Sequence, residues 1–349
     1  MKIGIHYSLK GFSSQWIEYC KEKNINYKII DCYSNNIVQD TEDCNIIMWH
    51  FRHDLYKDML FAKQLLFSFE QSGKIVFPSF NTAWHFDDKV GQKFLLESLK
   101  IPLVPSFVFF DKLNAKNWAN HTNYPKVFKL RGGAGSANVE LIKTKKEAFS
   151  KIDRAFSKGF SQFSKWKNFK DNSIKFYSGK VGFHKFLGSF ARLFISSEFA
   201  KMSSRENGYV YFQEFIPKNN YDIRIIVIGE NAFGIKRMVR ENDFRASGSG
   251  TILYEKENFS DKLINLSFEI AEKLKTQCGA FDFIFDDNNE PLLVEISFGF
   301  TSKVYSPCEG YWNRNLEFHK GPFNPFGWMI EEAIKVAIDK NNIGVVNPV

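Results

Sequence analysis

The sequence predicts a mixed α/β and α+β protein, with a mostly parallel sheet first and antiparallel hairpins later. Two observations predict this. Over residues 1–80 short apolar strands alternate with amphipathic helices, the βαβ rhythm that builds a parallel sheet with helices on its faces. Beyond residue 208 paired apolar runs are separated by turn formers, which reads as hairpins. At 349 residues the chain is long enough for roughly two or three domains and a real core.

Lys2–Tyr7 reads as the first strand and lacks the long apolar stretch of a signal peptide. Ser13 or Ser14 is expected to cap a helix running through Trp16, Ile17 and Cys20. Tyr27–Cys32 and Asn45–Trp49 look like buried strands. Asp54–Gln71 has Leu55, Met59, Ala62, Leu66 and Phe69 on one helical side and closes at Gly73; Lys74–Phe77 is the next strand. No G-x-G-x-x-G occurs here, so a dinucleotide fingerprint is absent. Asn81–Leu99 leads into a helix with Lys89 near its start, where a cation opposes the helix dipole.

Lys126–Leu130 and Asn138–Ile142 read as strands around the loop Arg131-Gly132-Gly133-Ala134-Gly135-Ser136. Its glycines let backbone N–H groups approach phosphate oxygens, and Lys129 stands beside them. No G-K-[ST] follows, so this is not a Walker A loop. Gly208–Ile216 is a strand ending in Gln213-Glu214-Phe215-Ile216. Tyr221–Gly229 and Ala232–Val239 form a hairpin around Glu230-Asn231, a register that sets Arg224 opposite Arg237. Like charges across a ladder repel, and an anion between them would remove the penalty. Asp222 shares their face, and the polar loop that follows carries Arg245. Ser260 caps a helix through Leu263, Leu266, Ile270 and Leu274. Residues 299–327 read as irregular, and Phe326–Ile338 as a last helix.

The stretch Gly279–Ser297 organises the rest. Two apolar runs flank Asp286-Asp287-Asn288-Asn289, a cluster of turn formers. Period-two alternation puts Phe281, Phe283, Phe285, Leu292, Val294 and Ile296 on a core face. The opposite face carries Asp282, Glu295 and Ser297, a hard-oxygen set suited to Mg²⁺. Ordinary surface acids on a half-solvated hairpin are the alternative.

Charged residues at 25% and apolar residues at 44% suit a soluble protein, and no apolar run is long enough to span a membrane. The five cysteines form no C-x-x-C pair, as expected of reduced core thiols in a cytoplasmic protein. The net charge of +8 suits an anionic partner. Residues 158–205 hold ten Lys and Arg against two Asp and Glu, with nine Phe interleaved. Such a segment is either a solvated insertion or a contact for an acidic polymer or an anionic membrane surface, the latter giving a peripheral position on the inner membrane face.

In order, these pieces are a lysine at a helix start, a Lys-strand-glycine loop, a Q-E-F-I strand, a D-x-R strand, an Arg-bearing loop and a D…E-x-S hairpin. That order resembles the ATP-grasp superfamily, which includes glutathione synthetase and the ribosomal-protein glutamate ligases. The resemblance implies an ATP-grasp fold with an N-terminal Rossmann-like pre-ATP-grasp domain over 1–85. An N-lobe would cover 86–217 with the basic insertion 158–205, and a C-lobe 218–349. It implies that Lys89 and Lys129 hold the phosphates of ATP and that Gly132, Gly133, Gly135 and Ser136 form the phosphate lid. Gln213 and the backbone of Glu214, Phe215 and Ile216 would meet adenine, with Asp222 at the ribose or phosphate edge. Asp282 and Glu295 would bind one or two Mg²⁺ ions, Mn²⁺ being an acceptable substitute. Ser297 stands where the family usually has Asn, which puts the second metal position in doubt. Arg224, Arg237 and Arg245 would stabilise developing charge and grip a substrate carboxylate. The implied reaction is ADP-forming carboxylate–amine (or thiol) ligation through an acyl phosphate, on small-molecule, peptide or sugar substrates, in peptide modification or surface-polysaccharide assembly. A kinase of the same fold and a non-catalytic nucleotide-binding module are the alternatives.

Overall fold

Four short apolar strands build the first sheet. In the computed structural model, which describes residues 1–132, 138–161, 205–239, 243–246 and 251–346 with side chains to residue 340, β1 (Ile3–His6), β2 (Tyr27–Ile30), β3 (Ile46–Met48) and β4 (Ile75–Phe77) pair in parallel in the order β2-β1-β3-β4. Helices α1 (Ser13–Glu22), α2 (Ile37–Asp40) and α3 (Tyr56–Gln71) connect them. The parallel sheet is as predicted. The cap of α1 is not: Phe12 is the N-cap, and the Ser13 hydroxyl instead accepts from the Ser8 N–H at 2.9 Å.

The Asn81–Leu99 stretch divides into α4 (Phe80–Ala83) and α5 (Lys89–Ser98). The second sheet follows, antiparallel throughout, in the order β5-β8-β6-β7. Its strands are β5 (Ser106–Phe109), β6 (Lys126–Lys129), β7 (Glu140–Ile142) and β8 (Val210–Glu214). Helices α6 (Lys112–His121) and α7 (Lys145–Ala155) share one core with this sheet, where Ala115, Ala119, Ile152 and Phe212 are fully buried. The basic insertion lies outside the described residues between 162 and 204.

The third sheet runs β13-β12-β9-β10-β14-β15, with β11 (Ile252–Leu253) beside β10. Its strands are β9 (Tyr221–Ile228), β10 (Asn231–Met238), β12 (Cys278–Phe285), β13 (Pro291–Ser297), β14 (Gly310–Asn313) and β15 (Phe318–Lys320). Helix α8 (Asp261–Leu274), capped by the Ser260 hydroxyl as predicted, buries Leu263, Ile264 and Phe268 against one face. A short helix α9 (Ser302–Tyr305) with β14 and β15 replaces the irregular segment expected over 299–327. The last helix, α10 (Pro325–Val346), joins the first and third sheets: Met329, Ile330 and Ala333 share a core with Trp16 and Phe77 on one side and Ile226 and Phe233 on the other.

Two registers differ from expectation, and both shape the site. In the β9–β10 hairpin Ile228 pairs with Asn231, so the turn is Gly229-Glu230 rather than Glu230-Asn231. Gly229 sits at φ +54°, which a two-residue hairpin turn of this hand requires and glycine supplies at least cost. Arg237 therefore faces Asp222, not Arg224, and the predicted like-charge pair becomes an opposite-charge pair. In the β12–β13 hairpin Asp282 pairs with Glu295 but Phe283 pairs with Leu293. Val294 is the extra residue of a β-bulge, which re-aims side chains on its strand. Leu293, at 1% exposure, takes the core place expected of Leu292 and Val294, which are only half-buried.

Candidate active site

The sheets and the loops between them surround a cleft of about 710 Å³. Its wall includes Lys89, Lys129, Gln213, Glu214, Phe215, Ile216, Asp222, Arg224, Arg237, Arg245, Asp282, Glu295 and Ser297. Thus thirteen of the residues singled out in the sequence converge on one cavity. Gly132 is not on this wall; it is buried, and its N–H donates to Glu206 at 3.3 Å. Gly133, Gly135 and Ser136 lie outside the described residues.

Lys89 is the first residue of α5, whose N-cap Asp88 accepts from the Gly91 N–H at 2.9 Å. The Lys89 backbone N–H donates to the Arg131 carbonyl at 3.0 Å, and Arg131 pairs with Asp88 at 2.6 Å. The helix start and the first residue of the glycine loop are thereby tied together. The Lys89 ammonium stands 3.2 Å from Glu295 Oε1. Burial works against its charge, but Glu295 and Asp87 outweigh burial and raise its pKa. This answers the dipole conflict seen in the sequence: the cation at the helix start has a carboxylate partner, Glu295, from the third sheet.

Lys129 closes β6 and donates to Gln213 Oε1 at 2.6 Å. Gln213 is fixed from behind, its amide donating to the Ser106 hydroxyl at 3.0 Å. Burial pushes the Lys129 ammonium down to about 8, only partly offset by Glu295 and Asp282. The Glu214 side chain is held by Lys126 at 2.6 and 2.7 Å, so the strand end carrying Gln213–Ile216 is anchored on both sides. Val127, Val139, Phe215 and Phe244 make this end of the cleft apolar, and the Phe215 and Phe244 rings meet edge to face at 6.0 Å.

The third sheet supplies the charged floor. Arg224 grips both oxygens of Asp282, with Nη2–Oδ2 at 2.6 Å. Arg237 donates to Asp222 at 2.6 and 2.7 Å, and its Nη2 also lies 3.1 Å from Asp282 Oδ1. Burial alone would raise the Asp282 pKa, but Arg224 and Arg237 more than offset it and hold the carboxyl at about 2. The Asp222 pKa is instead raised, chiefly by burial. Arg245 pairs with Asp243 at 2.7 Å. The Ser297 hydroxyl is engaged locally, accepting from the Gly299 N–H at 3.1 Å. Glu295, the cross-strand partner of Asp282, completes the floor.

The sequence reading missed the far wall. Gly11 and Phe12, after β1, and His50 and Arg52, after β3, line the cleft from the first sheet, with Thr301 and Ser302 opposite. The available signal was topological: loops at the carboxyl ends of parallel strands hold ligands in open α/β sheets, and these two loops are such ends.

A family model described as a RimK-like ATP-grasp domain matches residues 174–305. The chain is 27% identical over 281 residues to the alpha-aminoadipate–LysW ligase LysX of Saccharolobus solfataricus, covering 78% of this chain and 83% of that protein. Among solved structures it is similar to a RimK domain ATP-grasp protein from Sphaerobacter thermophilus, with a TM-score of 0.54, 14% identity, and 96% of this chain and 100% of that one covered. It is also similar to the N5-carboxyaminoimidazole ribonucleotide synthetase of Thermotoga maritima, with a TM-score of 0.57, 13% identity, and 95% and 75% of the two chains covered. At such identities the structural likeness speaks for the fold alone. The motif order, the three sheets around one charged cleft, the family model and the ligase relative agree, and the chain has the ATP-grasp fold, with a RimK-like ATP-grasp domain matched over residues 174–305.

Proposed function

We propose that this protein is an ATP-dependent carboxylate–amine ligase working through an acyl phosphate. The observation that carries the reading is the convergence of Lys89, Lys129, Asp282 and Glu295 on one cleft with an apolar end. Lys129 and Lys89 would bind the phosphates of ATP, and the anchored Gln213–Ile216 strand end would receive adenine. Asp222 would lie at the ribose or phosphate edge. The cleft draws on all three predicted units, 1–85, 86–217 and 218–349.

The residues fit Mg²⁺, or Mn²⁺, as two carboxylates rather than three. Asp282 and Glu295 are cross-strand partners with hard oxygen donors, and Asp282 is held fully ionised. Among the described residues no group of three or more metal-ligating side chains occurs, so phosphate oxygens and water would fill the remaining positions, as Mg²⁺ in phosphate sites usually demands. Arg224, Arg237 and Lys89 now neutralise these carboxylates and would turn to ligand oxygens when a cation takes their place. A bound Mg²⁺ supplies charge neutralisation at the transferring phosphoryl group. Ser297, engaged with Gly299, is the weakest of the three proposed ligands.

In this reading the substrate carboxylate takes the γ-phosphoryl group and releases ADP. An amine then attacks the acyl carbon and phosphate leaves. Arg224 and Arg237 would stabilise the charge that develops, and Arg245 would guide the carboxylate. The activity in the relative's name involves alpha-aminoadipate, an amino acid, which supports an amino-acid or peptide substrate over surface-polysaccharide assembly. Among the described residues no helix is long and apolar enough to cross a membrane.

The test is Glu295→Gln. ADP release should fall on the order of 10²–10³-fold, as for loss of one preorganised charge contact at a reacting centre. A variant that releases ADP at the parental rate would remove the main chemical support for the ligase. Mass spectrometry of the product formed from amino-acid and peptide pairs separates amide formation from phosphorylation.

A further inference from the structure

Strand β13 lies at the edge of the third sheet, and Glu295 follows its bulge. A bulge disrupts strand pairing, and an edge leaves one row of backbone groups without a ladder partner. Neither feature by itself fixes a side chain. Two contacts hold the outer edge. Before the bulge, the Leu293 N–H donates to the Pro102 carbonyl and the Leu293 carbonyl accepts from the Val104 N–H, both at 3.0 Å. After it, the partner is a side chain. Gln92 Oε1 accepts from the Ile296 N–H at 3.2 Å, and Gln92 Nε2 donates to the Ile296 carbonyl at 2.8 Å. Nε2 also donates to the His85 carbonyl at 3.0 Å. The amide of Gln92 thus stands where the peptide group of a further strand would stand.

Gln92 is 3% exposed, and a buried amide is costly unless it is hydrogen-bonded. Here both donors and the acceptor are used. Reversing the amide would set N–H against N–H, so the network admits one orientation. Glutamate at this position would lack the donors, and an apolar residue would leave the Ile296 N–H and carbonyl without this partner. The placement on α5 ties the contact to the chemistry. Gln92 stands three residues after Lys89, and residues three apart share a helix face. That face meets consecutive residues of β13: Lys89 Nζ stands 3.2 Å from Glu295 Oε1, and Gln92 grips Ile296. The Gln92 N–H donates to the carbonyl of the N-cap Asp88 at 2.8 Å, and the Asp88 carboxylate holds Arg131 at the root of the glycine loop. One helical turn therefore joins the phosphate side of the cleft to a strand 204 residues further along the chain. Glu295 is the carboxylate that matters most to both lysines: its charge opposes the effect of burial at Lys89 and at Lys129. Gln92 itself is not on the cleft wall.

We propose that Gln92 is a positioning residue for Glu295: by pinning the edge strand at Ile296 it holds the carboxylate where it can pass from Lys89 to Mg²⁺, leaving Lys89 to the phosphates. The proposal rests on the ligase reading and deepens it, because Gln92 acts through Glu295 and touches neither nucleotide nor metal.

The experiment titrates the full-length protein with a non-hydrolysable ATP analogue by calorimetry, once in excess Mg²⁺ and once in EDTA. The ratio of the two affinities is the metal-dependent gain. Gln92→Met keeps the length of the side chain and removes the amide. In this variant the gain should fall about 10–100-fold, the usual cost of losing a group that orients a metal ligand, while the affinity in EDTA stays at the parental value. A general packing defect would instead lower both affinities together and leave the gain unchanged, and that result overturns the proposal. Adding Glu295→Gln tests the route. Because Gln92 acts through Glu295, the double variant should lose no more of the gain than Glu295→Gln alone, and additive losses overturn the proposal. Should Gln92→Met fail to fold, Gln92→Asn retains an amide in the interior but draws it back by one methylene, and the same loss of gain is expected; a full gain in folded Gln92→Asn overturns the role of Gln92. The parent protein separates the two levels of inference. No nucleotide affinity, or no gain from Mg²⁺, sinks the ligase reading; both present in the parent, with the gain intact in a Gln92 variant, sinks only the role of Gln92.

Discussion

Asp282→Asn is expected to lower the stability of the protein as well as end its turnover. Considered as half of an acidic pair with Glu295, Asp282 would be a source of repulsion, and its removal would cost nothing. The structure reverses that sign. Asp282 is 7% exposed and lies between Arg224 and Arg237, accepting two hydrogen bonds from the first and standing 3.1 Å from Nη2 of the second. Asparagine would leave the buried Arg237 and half-buried Arg224 guanidiniums without the carboxylate that sits between them, with only Asp222 directly paired to Arg237. Removing one partner of a buried pair costs about 3–5 kcal/mol, and the amide oxygen that Asn keeps places this change at the low end. Denaturant unfolding at pH 7 measures it. The double variant Arg224→Leu with Asp282→Asn should recover part of the loss, because it deletes the stranded charge. If the single variant unfolds like the parent, the Asp282–arginine cluster contributes nothing to the fold. The pH dependence carries the same sign. A carboxyl held near 2 in the folded state, against 3.8 ordinarily, contributes stability that is present above about pH 4 and lost as pH falls through about 2. The variant should lack that acid-limb transition.

The contrast between the two signs shows what was legible in the sequence. Period-two alternation placed Asp282 and Glu295 on one face of a hairpin, and they are indeed cross-strand partners. Alternation cannot reveal which strand lies on the other side of Asp282. That strand is β9, and it brings Arg224 opposite Asp282. The hairpin register of β9 and β10 was misjudged by one turn position, because Glu230-Asn231 is as good a turn on composition as Gly229-Glu230. Only the left-handed conformation of Gly229 decides between them. The Val294 bulge was hidden for a similar reason: Leu292, Leu293 and Val294 are interchangeable in hydrophobicity, so no pattern marks the residue that slips out. The far wall was missed because Gly11, His50 and Arg52 carry no motif and become neighbours only through the order of parallel strands. The charged floor, Lys89 and Lys129, by contrast, stand in short segments whose order carries the family resemblance, and that resemblance implied that they meet.

Lys129→Met should separate nucleotide binding from stability, weakening the first and leaving the second no lower than in the parent. In the folded protein burial holds the Lys129 ammonium near 8, against 10.5 ordinarily. A lysine depressed on folding costs stability at all pH values below its folded pKa, and that cost is relieved as pH rises from about 8 to about 10.5. At about 1.36 kcal/mol for each pKa unit, the full cost is on the order of 3 kcal/mol. Methionine removes it and retains much of the apolar stem. The change also strands Gln213 Oε1, which accepts from Lys129 at 2.6 Å, at about 1–3 kcal/mol. The variant should therefore unfold no more easily than the parent at pH 7, and should gain less than the parent between pH 8 and 10. Its affinity for Mg-ATP should fall by about 1.5–3 kcal/mol, the worth of a charge-assisted hydrogen bond to phosphate. In the parent, phosphate beside Lys129 favours the charged form, so ATP binding should take up protons at pH 8–9. Calorimetry in buffers of different ionisation enthalpy reads this uptake, and Lys129→Met should abolish it. Parental affinity and parental proton uptake in the folded variant would place the phosphates elsewhere in the cleft.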